Sequence, residues 1–244
     1  MRTSTTHANP RYWIIVPAAG IGARMSSTIP KQYLTLAGKT LLEQTLERLL
    51  KLPFIQRVIL VLHPRDGWWE KLAMKDDPRI QIVNGGDQRS QSVFNALQDL
   101  AELADENDWI LVHDAARPCV TLASIENLRA QTSKHSVGGI LGVPVSDTLK
   151  TVAEQQILAT VDRDQLWQAQ TPQMFRYGLL HSCLARALRE SKSITDEASA
   201  LEAYGHRPLM ITGRSDNIKI TRPEDLVLAQ WILQHQSQEQ EQHS

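Results

Sequence analysis

Short β-type runs alternate with amphipathic helical stretches along most of this chain, which confines it to the α/β class with a mainly parallel sheet. Tyr12 to Val16 reads as a buried first strand. Lys39 to Leu52 sets Leu41, Leu42, Leu46, Leu49 and Leu50 on one helical face and stops at Pro53. Arg57 to Leu62 is a second, fully buried strand, and Gly67 to Lys75 a short helix with Trp68 and Trp69 as packing residues. Ile80 to Val83 is a third strand, after which Asp87 is placed to cap a helix through Val93, Leu97, Leu100 and Leu103. Trp109 to Val112 is the fourth strand and Leu122 to Thr132 a helix. Val137 to Val145, with three glycines and Pro144, is a strand that must bend or pass close to a neighbour.

The alternation breaks at Ser146 to Gln165. Two β-type runs, Thr148 to Val152 and Ile157 to Val161, flank a polar turn and predict a projecting hairpin arm. An isolated two-stranded arm is marginal in water, so it calls for a surface to pack on, most simply a second subunit. Beyond it the pattern resumes with a strand (Trp167 to Phe175) and a helix (Tyr177 to Arg189). A helix from Asp196 to Tyr204 follows, with Thr195 as its cap. Strands near Pro208 to Thr212 and Asn217 to Thr221 precede a helix from Pro223 to Gln234. The expected organisation is a disordered leader over residues 1–10, one domain over 11–235 including the arm at 146–165, and a disordered Gln/Glu-rich tail over 236–244.

Charge narrows the class of function. Lys and Arg total 26 against 27 Asp and Glu, which argues against nucleic-acid or membrane-surface partners while leaving room for a local cationic pocket. No run approaches the ~20 apolar residues of a spanning helix, and the polar leader lacks a signal core, so a cytoplasmic protein is expected. Cys119 and Cys183 have no metal-type spacing and read as small apolar fillers.

The first strand runs into Pro17-Ala-Ala-Gly20-Ile-Gly22-Ala-Arg24-Met25, closed by Pro30-Lys31-Gln32. Glycines let backbone N–H groups approach an anion, and Arg24 and Lys31 add two cations beside them, as a nucleotide phosphate chain requires. A Walker loop is excluded by spacing, and Met25 occupies the third glycine position of a dinucleotide fingerprint. Asn84-Gly85-Gly86-Asp87, with Ser92, forms a second Gly-rich turn able to read a base or ribose. His113-Asp114-Ala115-Ala116-Arg117 ends a strand, with Asp114 suited to a hard cation and Arg117 to a phosphate or carboxylate. His113 reads as a hydrogen-bonded structural residue. Lys219, opposite Ile218 and Ile220 by period-two alternation, is a third candidate cation, and Thr160 and Arg163 are polar candidates at the base of the arm.

Taken in order, these segments resemble the 2-C-methyl-D-erythritol 4-phosphate cytidylyltransferase family. They are Pro17 to Met25 with Pro30-Lys31-Gln32-Tyr33, Gly85-Gly86-x-x-Arg89-x-x-Ser92-Val93 and His113 to Pro118. Val161-Asp-Arg163, Thr171-Pro-Gln, Thr195-Asp-Glu197 and Asn217-Ile-Lys219-Ile-Thr221 complete the set. The resemblance implies a three-layer Rossmann-like nucleotidyltransferase fold. It also implies a homodimer through the arm that joins CTP to methylerythritol phosphate, releasing pyrophosphate, with Mg²⁺ or another divalent cation such as Mn²⁺. By position, Arg24 and Lys31 correspond to transition-state stabilisers and Lys219 to a lysine facing both substrates. Pro17, Ala18, Ala19, Gly20, Gly86, Asp87 and Ser92 correspond to nucleotide contacts, and Asp114 to the metal-associated carboxylate. Ala115, Arg117, Thr148, Arg163, Thr171 and Thr195 correspond to the sugar-phosphate side. A cytidylyltransferase for a pentitol phosphate such as ribitol 5-phosphate shares most of these loops, and a non-catalytic nucleotide-binding module remains an alternative.

Overall fold

The computed structural model describes residues 9–20 and 29–242. Strand β1 (Tyr12–Pro17) sends Trp13 and Ile15 to one face and Ile14 and Val16 to the other, all buried, because helices cover both faces. After a 3₁₀ turn at Lys31–Tyr33, the short strands β2 (Thr35–Leu36) and β3 (Lys39–Thr40) pair antiparallel. That pairing takes the first two residues of the expected helix, so α1 spans Leu41–Leu49. The Thr40 hydroxyl accepts from the Glu43 N–H (3.1 Å), and the Glu43 carboxylate accepts from the Thr40 N–H (2.9 Å), a reciprocal cap. Strand β4 (Ile55–Leu62) leads to two 3₁₀ turns, Trp69–Lys71 and Ala73–Asp76, in place of the expected short helix.

Strand β5 (Ile80–Asn84), helix α2 (Arg89–Asp99), strand β6 (Trp109–Val112) and helix α3 (Leu122–Thr132) come next. Strand β7 (Gly138–Pro144) packs backbone against backbone. Gly138 has φ +123°, and a Cβ there would lie 2.0 Å from the Met174 carbonyl oxygen, the close neighbour that the glycines predicted. The arm is β8 (Leu149–Ala153) with β9 (Gln156–Val161), a separate two-stranded sheet. Glu154 and Gln155, at φ +48° and +65°, make its tight turn. Strand β10 (Trp167–Arg176), helices α4 (Tyr177–Arg189) and α5 (Glu197–Glu202), strand β11 (Leu209–Thr212) and helix α6 (Glu224–Gln242) complete the chain.

The main sheet has seven strands in the order β11-β7-β10-β6-β1-β4-β5. All run the same way except β10, which is antiparallel to both neighbours. The chain builds outward from β1 through β4 to β5, then returns across β1 to β6. Such a reversal of strand order opens a crevice at the carboxyl ends of the strands, where open α/β sheets bind ligands. Helices α1 and α3 pack Leu42, Leu46, Leu49, Ile125 and Leu128 on one face. Helices α2, α4 and α5 pack Val93, Leu97, Leu180, Leu184 and Leu201 on the other. Helix α6 seats Ala229, Ile232 and Leu233 on Leu36, Leu41, Ala116 and Ile220, which ties it to two loops at the crevice.

Four further local expectations change. The N-cap of α2 is Gln88 rather than Asp87, with no side-chain cap bond, because the turn places Asp87 one residue outside the helix. Asp196, not Thr195, caps α5: its carboxylate accepts from the Ser199 N–H (2.9 Å). Residues 217–221 form no strand; they run beside the loop after β6 and share with it one backbone bond, Ile220 N–H to Ala116 O (2.9 Å), instead of a ladder. The expected disordered tail begins as helix: α6 continues to Gln242, and buried Gln236 donates to the Cys119 carbonyl (3.0 Å) while accepting from Arg48 (2.7 Å).

Candidate active site

A cleft of about 240 Å³ opens at the carboxyl ends of β1, β5 and β6. Its walls are Pro17 to Gly20 after β1, Lys31 and Gln32 from the 3₁₀ turn, and Gly86 to Arg89 with Ser92 after β5. Asp114 to Ala116 after β6 and Lys219 close it. Eleven of the residues singled out in the sequence therefore meet in one place: Pro17, Ala18, Ala19, Gly20, Lys31, Gly86, Asp87, Ser92, Asp114, Ala115 and Lys219. Arg24, with Gly22 and Met25, lies outside the described residues.

Lys31 is carried by a turn that is held on three sides. Its ammonium donates to the Ile220 carbonyl (2.9 Å), and the Gln32 amide donates to Ala18 O (2.7 Å) at the end of β1. The Tyr33 hydroxyl donates to Asp66 (2.9 Å), whose other oxygen accepts the Trp68 and Trp69 N–H groups (both 3.0 Å). Burial and the Asp66 carboxylate push the Tyr33 phenol far above its ordinary range. The segment from Asp66 to Pro78, for which no motif suggested a purpose, thus braces the Lys31 turn from below.

The turn after β5 approaches β1 closely enough to demand glycine. A Cβ on Gly85 would lie 2.4 Å from the Ala19 Cβ and 3.0 Å from the Ser92 Oγ. The Gly85 N–H donates to Leu62 O (2.7 Å) and the Gly86 N–H to Ser92 Oγ (3.1 Å), so nearly buried Ser92 holds the turn together. Gly85→Ala is expected to destabilise the protein by about 1–3 kcal/mol, as overpacking does, and to shift Ala19 in the cleft. Urea unfolding measures it; an unchanged midpoint and slope would show that the two loops separate freely.

Asp114 lies at the centre of the charged side of the cleft. Its Oδ2 is 2.7 Å from Lys219 Nζ and 3.8 Å from Arg117 Nε, and its Oδ1 accepts from Arg89 Nε at 3.3 Å. Burial opposes the charge, but Arg89, Lys219 and Arg117 outweigh it and hold the carboxyl below the usual carboxylate range. Arg89 also grips Glu197 through two bonds, 2.6 and 3.0 Å. Lys31, Arg89 and Lys219 thus line the cleft with Asp114 and Asp87, while Arg117 stands behind Asp114 and Glu197 holds Arg89, an arrangement suited to receiving phosphates.

Behind Asp114, His113 is fully buried and neutral. The Arg117 carbonyl can only accept, so His113 Nε2 carries the proton and donates to it (3.0 Å). Nδ1 then accepts from the Thr171 hydroxyl (3.0 Å), whose oxygen accepts the Asp114 N–H (3.1 Å). Burial pushes the His113 pKa down from 6.5 to about 4. The unfolded chain therefore binds this proton first as pH falls. Stability from this group is complete above about pH 6.5 and is lost towards pH 4, by up to about 3 kcal/mol. Urea unfolding between pH 7 and 4.5 checks this: His113→Gln should flatten the profile, and a wild-type profile no steeper than the variant's contradicts it.

Five predicted residues do not line the cleft. Arg117 packs behind it and donates to the carbonyls of Asn217 (2.6 Å) and Ala169 (3.4 Å). Thr171 is buried against His113 and Asp114, and exposed Thr195 sits at the start of α5. Thr148 and Arg163 are exposed at the base of the arm, where Arg163 donates to the Ser146 carbonyl. In the other direction, sequence reading assigned no role to Arg89, Gln32 or Glu197. Arg89 and Glu197 stand within quoted motifs, but their pairing spans 108 positions and leaves no local signal.

No activated nucleophile lies among the described cleft residues. The Ser92 hydroxyl donates to Gln88 O (3.1 Å), and the buried Cys119 thiol, raised to about 12 mainly by burial, packs under α6. No group of three or more His, Cys, Asp or Glu side chains among the described residues is arranged to hold a metal, and Asp114 and Asp87 are the carboxylates among the described cleft-lining residues. Among the same residues, no helix is long and apolar enough to cross a membrane.

The family model described as 2-C-methyl-D-erythritol 4-phosphate cytidylyltransferase matches residues 12–235. A protein of that name from Yersinia pseudotuberculosis is 53% identical over 226 residues, covering 92% of each chain, and one from Yersinia pestis matches equally. Among solved structures, a 4-diphosphocytidyl-2C-methyl-D-erythritol synthase superposes with TM-score 0.82 at 40% identity, covering 93% of this chain and 100% of its own. The Francisella tularensis 2-C-methyl-D-erythritol 4-phosphate cytidylyltransferase superposes with TM-score 0.81 at 38% identity, covering 91% and 99%.

Proposed function

The chain belongs to the 2-C-methyl-D-erythritol 4-phosphate cytidylyltransferase family, and from that premise we propose how its residues divide the reaction. It transfers a cytidylyl group from CTP to 2-C-methyl-D-erythritol 4-phosphate, giving 4-diphosphocytidyl-2-C-methyl-D-erythritol and pyrophosphate in isoprenoid biosynthesis. The observation that carries the division of labour is the gathering of Lys31, Lys219, Asp114 and the Gly85-Gly86 turn at one sheet edge, without an activated nucleophile among the described residues.

The acceptor's phosphate oxygen attacks the α-phosphorus of CTP in line with the departing pyrophosphate. Such a transfer needs positioning and charge neutralisation rather than an enzyme nucleophile. Lys31 and Arg24 neutralise charge on the α-phosphate and the leaving group, while the backbone of Pro17 to Gly20 cradles the phosphates. The turn from Gly85 to Asp87 reads the base. With the Gly85 and Gly86 N–H groups already bonded within the fold, its carbonyl acceptors suit the exocyclic amine of cytosine and not the O4 of uracil. Lys219 faces both substrates and leaves Asp114 for a phosphate oxygen.

A divalent cation, Mg²⁺ or Mn²⁺, fits the donor set, since Asp114 offers a hard, ionised oxygen and a triphosphate offers more. When bound, such a cation neutralises charge on the triphosphate. The sugar-phosphate side is formed by Ala115, Thr195 and the arm-borne Thr148 and Arg163 of a second copy, with Arg117 and Thr171 fixing Asp114 from behind.

The dimer is supported by the arm itself. Val152, Ile157 and Leu158 are 56, 65 and 66% exposed on a two-stranded sheet that pairs with no other strand among the described residues. Sedimentation is expected to give a dimer that dissociates, with loss of activity, when Ile157 and Leu158 are changed to Ser; a fully active wild-type monomer would overturn this. The function is tested by pyrophosphate release. CTP with methylerythritol phosphate should react, whereas UTP, or ribitol 5-phosphate as acceptor, should react far more slowly. Equal rates with UTP would reject the base-reading turn, and preference for ribitol 5-phosphate would reject the acceptor.

A further inference from the structure

Arg89 and Glu197 join α2 to α5 across the rim of the cleft. Both Glu197 oxygens accept from the guanidinium, at 2.6 and 3.0 Å, and Glu197 is 2% exposed. A buried ion pair is a poor device for fastening two helices, because desolvation consumes most of its attraction and apolar pairs of similar size do as well. The pair therefore calls for a reason beyond cohesion. That reason lies in the one guanidinium nitrogen that Glu197 leaves over: Nε points at Asp114 Oδ1, 3.3 Å away. Asp114 is thus held from one side by an arginine whose own position is fixed. On its other side stands Lys219, 2.7 Å away on a side chain 43% exposed and able to swing.

We propose that Arg89, anchored by Glu197, is a positioning residue that keeps the Asp114 carboxylate in place when the Lys219 ammonium turns to a substrate phosphate. This rests on the role given to Lys219 above. Without the anchor, Asp114 follows Lys219 or pairs with a loosened Arg89, and the lysine delivers its charge in the wrong place. The planar fork is essential, since a lysine at position 89 has a single charged atom and cannot grip Glu197 and Asp114 together.

The test compares the full-length wild type with Arg89→Lys and with the double variant Arg89→Met/Glu197→Leu, by steady-state kinetics and thermal unfolding. Both variants are expected to lose roughly tenfold or more in kcat, with the KM for CTP changed less than about twofold. The double variant should unfold within a few degrees of wild type, since removing both charges leaves none stranded. Wild-type kcat in either variant would overturn the proposal, as would a raised KM for CTP with kcat unchanged, which would make Arg89 a nucleotide contact. A double variant that fails to fold would make the pair a structural element and equally count against it. Failure of the functional reading is a separate result, in which the wild type itself releases no pyrophosphate.

Discussion

Lys31→Ala is expected to lower turnover at saturating CTP and methylerythritol phosphate by roughly a hundredfold or more, with little loss of stability. The two effects separate because the turn is held by its neighbours rather than by the lysine. Gln32 bonds to Ala18 O and Tyr33 to Asp66, and both survive the substitution. Among the described contacts the protein loses the part-buried hydrogen bond to Ile220 O, worth about 1 kcal/mol. The transition state loses a charge aimed at developing negative charge, and removal of a comparable oxyanion donor costs ~2.7–4 kcal/mol. Steady-state kinetics beside a thermal melt distinguish the outcomes. Near-normal turnover in a folded variant would remove Lys31 from the chemistry, and an equal collapse of stability would make it structural.

Asp114→Asn should damage both activity and stability. The amide keeps the shape of the side chain but takes the counter-charge from Lys219 and Arg117 and leaves Arg89 with Glu197 alone. Breaking a buried charge network by removing one partner costs about 3–5 kcal/mol. In a domain of this size that corresponds to a fall in Tm on the order of 10 °C. Turnover should fall by roughly a hundredfold or more, since the same change releases Lys219 from its register with the acceptor. The native carboxyl is held below its unfolded range, so its contribution is present above about pH 4 and is lost below it. The stability gap between variant and wild type should therefore narrow on acidification. A variant as stable as wild type at pH 7 would mean that solvent, not Asp114, balances the three cations.

The regular parts of the fold were legible because burial on both faces writes itself into composition. Ile59 to Leu62 and Trp109 to Val112 are unbroken apolar runs, and the structure places both in interior strands of the sheet, flanking β1. Leu122 to Thr132 agrees at both ends because Thr121 supplies an unambiguous cap, its hydroxyl accepting the Ser124 N–H at 3.2 Å. Caps failed where two competent residues stood side by side. Thr195 and Asp196 are both good N-caps, and only the position of Ser199 decides between them. The polar tail misled because Gln236 draws its partners from Cys119 and Arg48, far away in sequence.

The cleft was legible through its loops, each of which carries glycine or charge at a strand end. What joins those loops was not. The Arg89–Glu197 pair, the Tyr33–Asp66 bond and the Asn217 amide bonded to Thr171 O (2.9 Å) all link residues more than thirty positions apart. Each involves residue types that are ordinarily solvated, so nothing in the local pattern separates them from surface charges. Sequence supplied most of the groups that line the cleft, and tertiary structure supplied the groups that hold them still.

The central claim is that these groups act by position and charge alone, with cytidylyl passing directly from CTP to the sugar phosphate. The stereochemistry at the α-phosphorus tests it most directly, using a single diastereomer of CTP that carries sulfur on that phosphorus. Direct in-line attack predicts a product of inverted configuration. Retention would require two displacements through a covalent cytidylyl-enzyme and would contradict the account.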